Sequence, residues 1–304
     1  MSKFIFSEIN KDEAKKVWFK TFSQNCFNDP LILENLNHKI KYFMVTNQGT
    51  PIIFWPTIIN NNNIIIPNNF YYVGPTLTDE FYKLKNHSKV SVLNETLECS
   101  LNEIFKKFKK IHFQSHPSFN DIRYFLWNKN LNVNIKYSAF LQPQKDFIIN
   151  WRDLRKRQLK KILKIKEKLN IDQTVTFNEI LNLAQGTIGA NKKNLKEYIN
   201  LDFFIKLYEK QLSKVFSLRE KKTKKILSIC YTIEDQKSVN LIYNFADNQW
   251  KNDGIMQLNI YQVIEYCLKK KKILDFNGAN SYVGADDKGS YGSEERIYFS
   301  FINE

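Results

Sequence analysis

The chain is poor in the residues that mark special chemistry or unusual backbone: four histidines, four cysteines, nine glycines and seven prolines among 304 residues. So little glycine and proline excludes a collagen-like or low-complexity chain. With 43% apolar and 25% charged residues the sequence is too apolar for intrinsic disorder, and it is long enough for one large core or two domains. Cys26, Cys99, Cys230 and Cys267 form no CxxC pair and the first residues show no signal-peptide pattern, so reduced thiols and a cytoplasmic protein are expected. The histidines form no HExxH or Cys/His cluster. His112 and His116 stand four apart, but Pro117 follows and no third ligand is in view, so no metal is expected. No apolar run approaches the ~18 residues of a membrane span; the stretch 57–66 is broken by the asparagines at 60–63.

Positive charge is abundant: 46 Lys and Arg stand against 31 Asp and Glu, a net +15. That balance suits a polyanion such as nucleic acid, a phosphate-rich cofactor or an anionic membrane. The chain is also crowded with Lys, Asn and Ile and poor in Ala and Gly, a bias that an AT-rich genome produces by itself. Charge alone therefore names no ligand.

Proline and glycine divide the chain. Every proline lies between Pro30 and Pro143, whereas five of the nine glycines lie between Gly254 and Gly292. In the first half, apolar spacing predicts helices over 12–22 and 96–109, and a helix or turn over 121–127. Strands are expected at 40–46 and 51–55 around Asn47-Gln48-Gly49, at 64–67, at 110–114 and at 137–141. The second half opens with WRDLRKRQLKKILKIKEKLN, a helix of about 20 residues with Asn150 as N-cap. Trp151, Leu154, Gln158, Ile162, Ile165 and Leu169 trace one face. A helix over 201–214 follows, then strands at 225–233 and 238–246, a helix over 255–270, and strands at 273–276 and 296–302. The fold class is mixed α/β (α+β), with domains expected over 1–146 and 147–304.

The run LDFNGANSYVGADDKGSYGSEERIYFSF, from Leu274 to Phe301, is the candidate chemical centre: a strand ends at Asp275-Phe276 and a polar loop follows. It has neither Walker nor GxGxxG spacing, which removes the nucleotide-fold readings. Lys288 in that loop suits a developing oxyanion or a phosphate. Asp275 is the best-placed base, ahead of Asp286 and Asp287, and Tyr291 is the proton relay; Asn277, Asn280, Ser281 and Tyr298 are candidates for substrate contact. Lys251, Gly254 and Ile255, at the start of the 255–270 helix, offer a dipole end and free N–H groups for a pyrophosphate. The ordinary alternatives stay open: a solvated loop, a surface lysine and core tyrosines.

The segment LDFNGANSYVGADDKGSYG resembles the C-terminal signature of the Fem-type peptidyltransferases and their relatives in the GNAT acyltransferase superfamily. Asp275-Phe276, Gly278, Lys288 and Tyr291-Gly292 carry that resemblance. Asp121-Ile122-Arg123-Tyr124 with Trp127, the strand at 137–141 and the basic helix from Trp151 follow the same family pattern. The resemblance implies two tandem GNAT-like domains, each a mixed, mostly antiparallel sheet flanked by helices. The first would be degenerate and the second would hold the acyl donor, with an amine-bearing acceptor in the cleft between them. It implies an enzyme, an amide-forming N-acyltransferase using acyl-CoA or another acyl thioester, with aminoacyl-tRNA as the alternative donor and no metal. Two departures stand out: no long coiled-coil arm is present, and the acyl-CoA loop is reduced to Asp253-Gly254.

The basic helix carries nine Lys and Arg against two acids over 151–168. In the tRNA-dependent reading, Arg152, Arg155, Arg157 and Lys160 contact phosphates. A non-catalytic RNA-binding protein is the rival of another class, although no RNP-like or GXXG motif is present.

Overall fold

The computed structural model describes residues 3–188 and 195–303, and these fall into two compact units, one within 1–136 and 297–304 and the other within 137–296. In chain order the strands are β1 (Phe4–Ile9), β2 (Lys39–Asn47), β3 (Thr50–Asn60), β4 (Asn63–Ile65), β5 (Thr76–Leu77), β6 (Ile111–Gln114) and β7 (Asn132–Leu141). They continue as β8 (Leu169–Asp172), β9 (Lys214–Glu220), β10 (Ile226–Glu234), β11 (Ser238–Ala246), β12 (Ile273–Asp275) and β13 (Glu294–Asn303). The fold is mixed α/β, with a mostly antiparallel sheet flanked by helices.

The first unit runs β1-β2-β3-β4-β6-β13, with β5 beside β3, and only β4–β6 is parallel. Two tight hairpins shape it. Gln48 and Gly49 have φ +49° and +82°, and Asn61 and Asn62 have φ +48° and +61°, so both two-residue loops take positive φ at each central position. That twist matches the flanking strands. The asparagine run is thus a turn between β3 and β4, using a residue that tolerates the left-handed region better than most. The helix Asn86–Lys107 covers this unit's core with Val92, Leu93, Leu97, Leu101 and Ile104 on its buried face.

The second unit runs β7-β12-β11-β10-β9-β8, and only β11–β12 is parallel. β10 reads ILSICYTIE because both of its faces are covered and alternation disappears. Leu227 and Cys230 share a core with Leu258, Val263 and Cys267 of the helix Ile255–Lys270. Tyr231 meets Phe204 of the helix Leu201–Glu209, ring centroids 5.5 Å apart.

The structure departs from the sequence expectation in three places that matter here. The basic helix spans Asp153–Leu163 rather than about 20 residues, and its N-cap is Arg152, not Asn150. A 3-10 turn at Lys166–Lys168 and the strand β8 replace its second half, because Leu169 to Asp172 find backbone partners on β9. Only Leu159 and Ile162 are buried on that helix; Leu154 is 49% exposed, so the expected apolar face is narrower. Finally, the loop expected after Phe276 folds into the helix Tyr282–Gly289, capped by the Ser281 hydroxyl, which accepts from the Gly284 N–H at 3.1 Å.

Candidate active site

Strands β11 and β12 run side by side for three residue pairs, ending at Asn240 opposite Asp275. β11 then continues to Ala246 while β12 stops. Asn277 bridges the parting strands: its Nδ2 donates to the Leu241 carbonyl at 3.1 Å. The chain turns there because Asn277 takes φ +53°, and the Asp275 carboxylate fixes the turn by accepting the Asn277 N–H at 2.7 Å. On its other side the turn is sewn to β7. The Phe276 N–H donates to the Ala139 carbonyl at 2.9 Å, the Ala279 N–H to the Tyr137 carbonyl at 2.6 Å, and the Tyr137 N–H to Asn280 Oδ1 at 2.7 Å.

Lys288 reaches back into this turn from the last turn of the helix Tyr282–Gly289. Its Nζ donates to the carbonyls of Asn277 and Gly278, and no further partner of the ammonium exists among the described residues. Burial pushes its pKa down from the usual lysine value to about 8, against the upward pull of the Asp275 and Asp287 charges. A half-buried lysine with two N–H groups spent on carbonyls has one left. The Asn277 Oδ1 atom is buried and unpartnered beside that turn.

The remaining predicted residues divide. Asp275, Asn277, Asn280 and Lys288 come together. Ser281 is spent on its helix cap. Tyr291 lies in the core, 1% exposed, with its ring stacked on Phe276 and Trp151 edge-on at 5.1 Å. Its hydroxyl accepts from Gln257 Nε2 at 3.4 Å, and burial raises its pKa far above the usual phenol value. Tyr298 belongs to the first unit, where it meets Tyr72 edge-on at 5.0 Å.

Asp286 and Asp287 are both partly exposed, and each has an arginine partner. Arg152 grips Asp286 through both terminal nitrogens, at 2.9 and 2.6 Å, and holds its carboxyl below the usual aspartate range. Arg155 reaches Asp287 and Ser290 Oγ, the latter at 2.8 Å, and lies 5.1 Å over the Tyr291 ring. The two arginines thus fasten the helix that carries Lys288, whereas Arg157 and Lys160 point outward and are exposed.

The start of the helix Ile255–Lys270 is built for packing. Gly254 has φ +89°, and a Cβ there would sit 2.2 Å from the Gln158 carbonyl oxygen of the basic helix. Lys161 adds an ion pair to Asp253 at 2.5 Å. Gly254 and Ile255 are buried, and Lys251 lies in the 3-10 turn Asn248–Asp253 just before them. No group of acids, cysteines and histidines suited to a metal occurs among the described residues. No helix there is long and apolar enough to cross a membrane.

Sequence reading overlooked Ser138. It is fully buried on β7, and its hydroxyl donates to Asp275 Oδ1 at 2.8 Å. A lone serine in the apolar run Tyr-Ser-Ala-Phe-Leu was the only signal.

No protein-family model and no curated protein sequence matches the chain. Solved structures do. FemX superposes with a TM-score of 0.67 at 9% identity, over 97% of this chain and 96% of its own. L-PGS from Bacillus licheniformis gives 0.61 at 12% identity, over 98% and 93%. A tandem GNAT protein from the clavulanic acid biosynthesis pathway gives 0.55 at 7% identity, over 99% and 98%. The fold is the tandem GNAT fold. At these identities the likeness speaks for architecture alone, and the chemistry rests on the residues around Lys288.

Proposed function

We propose that the chain is an amide-forming N-acyltransferase whose second unit, the GNAT-like half, binds the activated acyl donor, the first being the degenerate half. The observation that carries this reading is the half-buried Lys288, gripped by two carbonyls where β11 and β12 part, with one N–H to offer. An acyl carbonyl placed there gains a cationic donor as its oxygen becomes an oxyanion. The acceptor amine forms the new C–N bond and the donor's C–O or C–S bond breaks. One amine proton ends on the leaving oxygen or sulfur. No side chain need become covalently attached.

The donor is argued from Gly254. A coenzyme A pyrophosphate at Gly254-Ile255 needs room in front of the helix start, and there both residues are buried and the Gln158 backbone stands where a Gly254 Cβ would be. An aminoacyl ester carried on tRNA makes no such demand, and the exposed Arg157 and Lys160 suit its phosphates. The test is binding of CoA, acyl-CoA, and charged and uncharged tRNA at two salt concentrations, followed by transfer to a panel of amines. Tight tRNA binding that weakens with salt and with Arg157→Glu/Lys160→Glu, together with amide formation lost in Lys288→Ala, is the expected result. Saturable, salt-resistant acyl-CoA binding with turnover moves the donor to the thioester. RNA binding without any turnover leaves the binding-protein reading instead.

A further inference from the structure

Lys288 does not sit beside a free carboxylate. Between it and the nearest buried acid lies the backbone turn at Asn277, and that turn is held by the acid itself. Asp275 is 1% exposed at the end of β12, and a single oxygen, Oδ1, accepts both the Ser138 hydroxyl at 2.8 Å and the Asn277 N–H at 2.7 Å. The carbonyls of Asn277 and Gly278, the next two in the chain, hold the lysine. We propose that Ser138 and Asp275 form a buried positioning pair for Lys288, fixing the carbonyl turn that grips it and setting how much negative charge it faces. This rests on the reading of Lys288 as the oxyanion donor.

The geometry leaves Asp275 unsuited to be the base that the sequence suggested. A carboxylate shut inside the sheet, with one oxygen already accepting two hydrogen bonds, orients its neighbours rather than meeting an incoming amine. Ser138 has a defined part in this. Its hydroxyl draws charge density toward β7 and away from the lysine. Removing it takes one hydrogen bond from Oδ1 and leaves more charge facing Lys288. Removing the charge with Asp275→Asn acts in the opposite sense. The other charges near Lys288 are Asp287 on its own helix and Arg155 of the helix Asp153–Leu163, which is paired with that Asp287; Arg152 and Asp286 pair with each other close by.

The experiment reads Lys288 directly, without a substrate. The full chain is labelled with ¹⁵N-lysine, the Lys288 ammonium signal is assigned by its loss in Lys288→Met, and its titration is followed by NMR in the parent, Ser138→Ala and Asp275→Asn. The expected result is a midpoint moved up by about half a pH unit in Ser138→Ala and down by a similar or larger amount in Asp275→Asn. If Ser138→Ala fails to fold, Ser138→Cys keeps a weaker donor in a similar volume and gives a smaller upward shift. Unchanged midpoints, or shifts in the same direction, overturn the pairing. Because the titration needs no acyl transfer, its outcome is separate from the outcome of the transferase assay: opposite shifts without turnover keep the pair and remove the enzyme, and turnover without shifts does the reverse.

Discussion

Two helices of the second unit begin beside polar, glycine-containing sequence, and they use it differently. At Gly254 the left-handed backbone lets one helix start directly against another, so the missing side chain is filled by the Gln158 carbonyl. At Ser281 the helix is capped by a hydroxyl, stands with Tyr282 88% exposed, and sends Lys288 back to a turn of open carbonyls. The first arrangement fills the space at its start with the backbone of a neighbouring helix. The second leaves a charge and a hydrogen-bond donor over. What separates a structural helix start from a reactive one is therefore what occupies the space in front of it, and local sequence does not contain that.

The sharpest way to break this contrast is to exchange the expected defects. Lys288→Ala should cost about 10²- to 10³-fold in kcat for amide formation while the circular dichroism spectrum stays that of the parent. Gly254→Ala should do the opposite. A Cβ forced into backbone at φ +89° costs about 3 kcal/mol of stability in urea unfolding, with kcat per folded molecule retained. If Gly254→Ala were stable and lost donor binding, the helix start would be a ligand site after all.

Much of the architecture was legible because it follows from period and turn chemistry. The helix Ile255–Lys270 and the strand Ser238–Ala246 fall where apolar spacing put them, and the hairpin at Gln48-Gly49 was signalled by its turn residues. The basic helix was overextended because Ile165 and Leu169 continue its spacing by coincidence; backbone pairing with β9 decides that segment, and pairing partners 50 residues away leave no local mark. The site was legible as a list and not as an arrangement. Lys288, Asp275 and Asn277 could be named from the strand end and the polar run. The part of Ser138 depends on β7 lying against β12, and Asp286 and Asp287 pair with arginines 134 and 132 residues earlier. Tyr291 shows the same limit, since an aromatic before a glycine reads alike in a core and in a site.

Burial of Lys288 also predicts an unusual pH dependence. The group titrates near 8 in the folded chain and near 10.5 when unfolded. Below pH 8 both states hold the proton, and the folded state bears the whole cost of the buried charge. Between about 8 and 10.5 the unfolded chain keeps a proton that the folded chain has released, so stability rises with pH across that window. Relative to Lys288→Met, the parent should gain on the order of 2 kcal/mol between pH 7.5 and 10 in urea titrations. Turnover should move the other way and fall above pH 8 as the donor loses its charge. A flat difference between the two proteins would place Lys288 in solvent and remove the contrast with Gly254.

The smallest effect separates the two arginines that fasten the Lys288 helix. Arg155 has a side chain only 17% exposed and touches Asp287, Ser290 and the Tyr291 face at once. Arg152 is 52% exposed, and its carboxylate partner is in water as well, so solvent replaces most of what the pair supplies. Arg155→Ala should therefore lower stability by about 1–2 kcal/mol and slow turnover by loosening the last turn of the helix. Arg152→Ala should leave both within error of the parent. Since both arginines lie on a helix that charge alone would assign to RNA, their response in the tRNA assay is informative too. Neither replacement should change the slope of binding against salt as Arg157→Glu does, because a guanidinium already committed to a carboxylate releases no counterion when phosphate arrives.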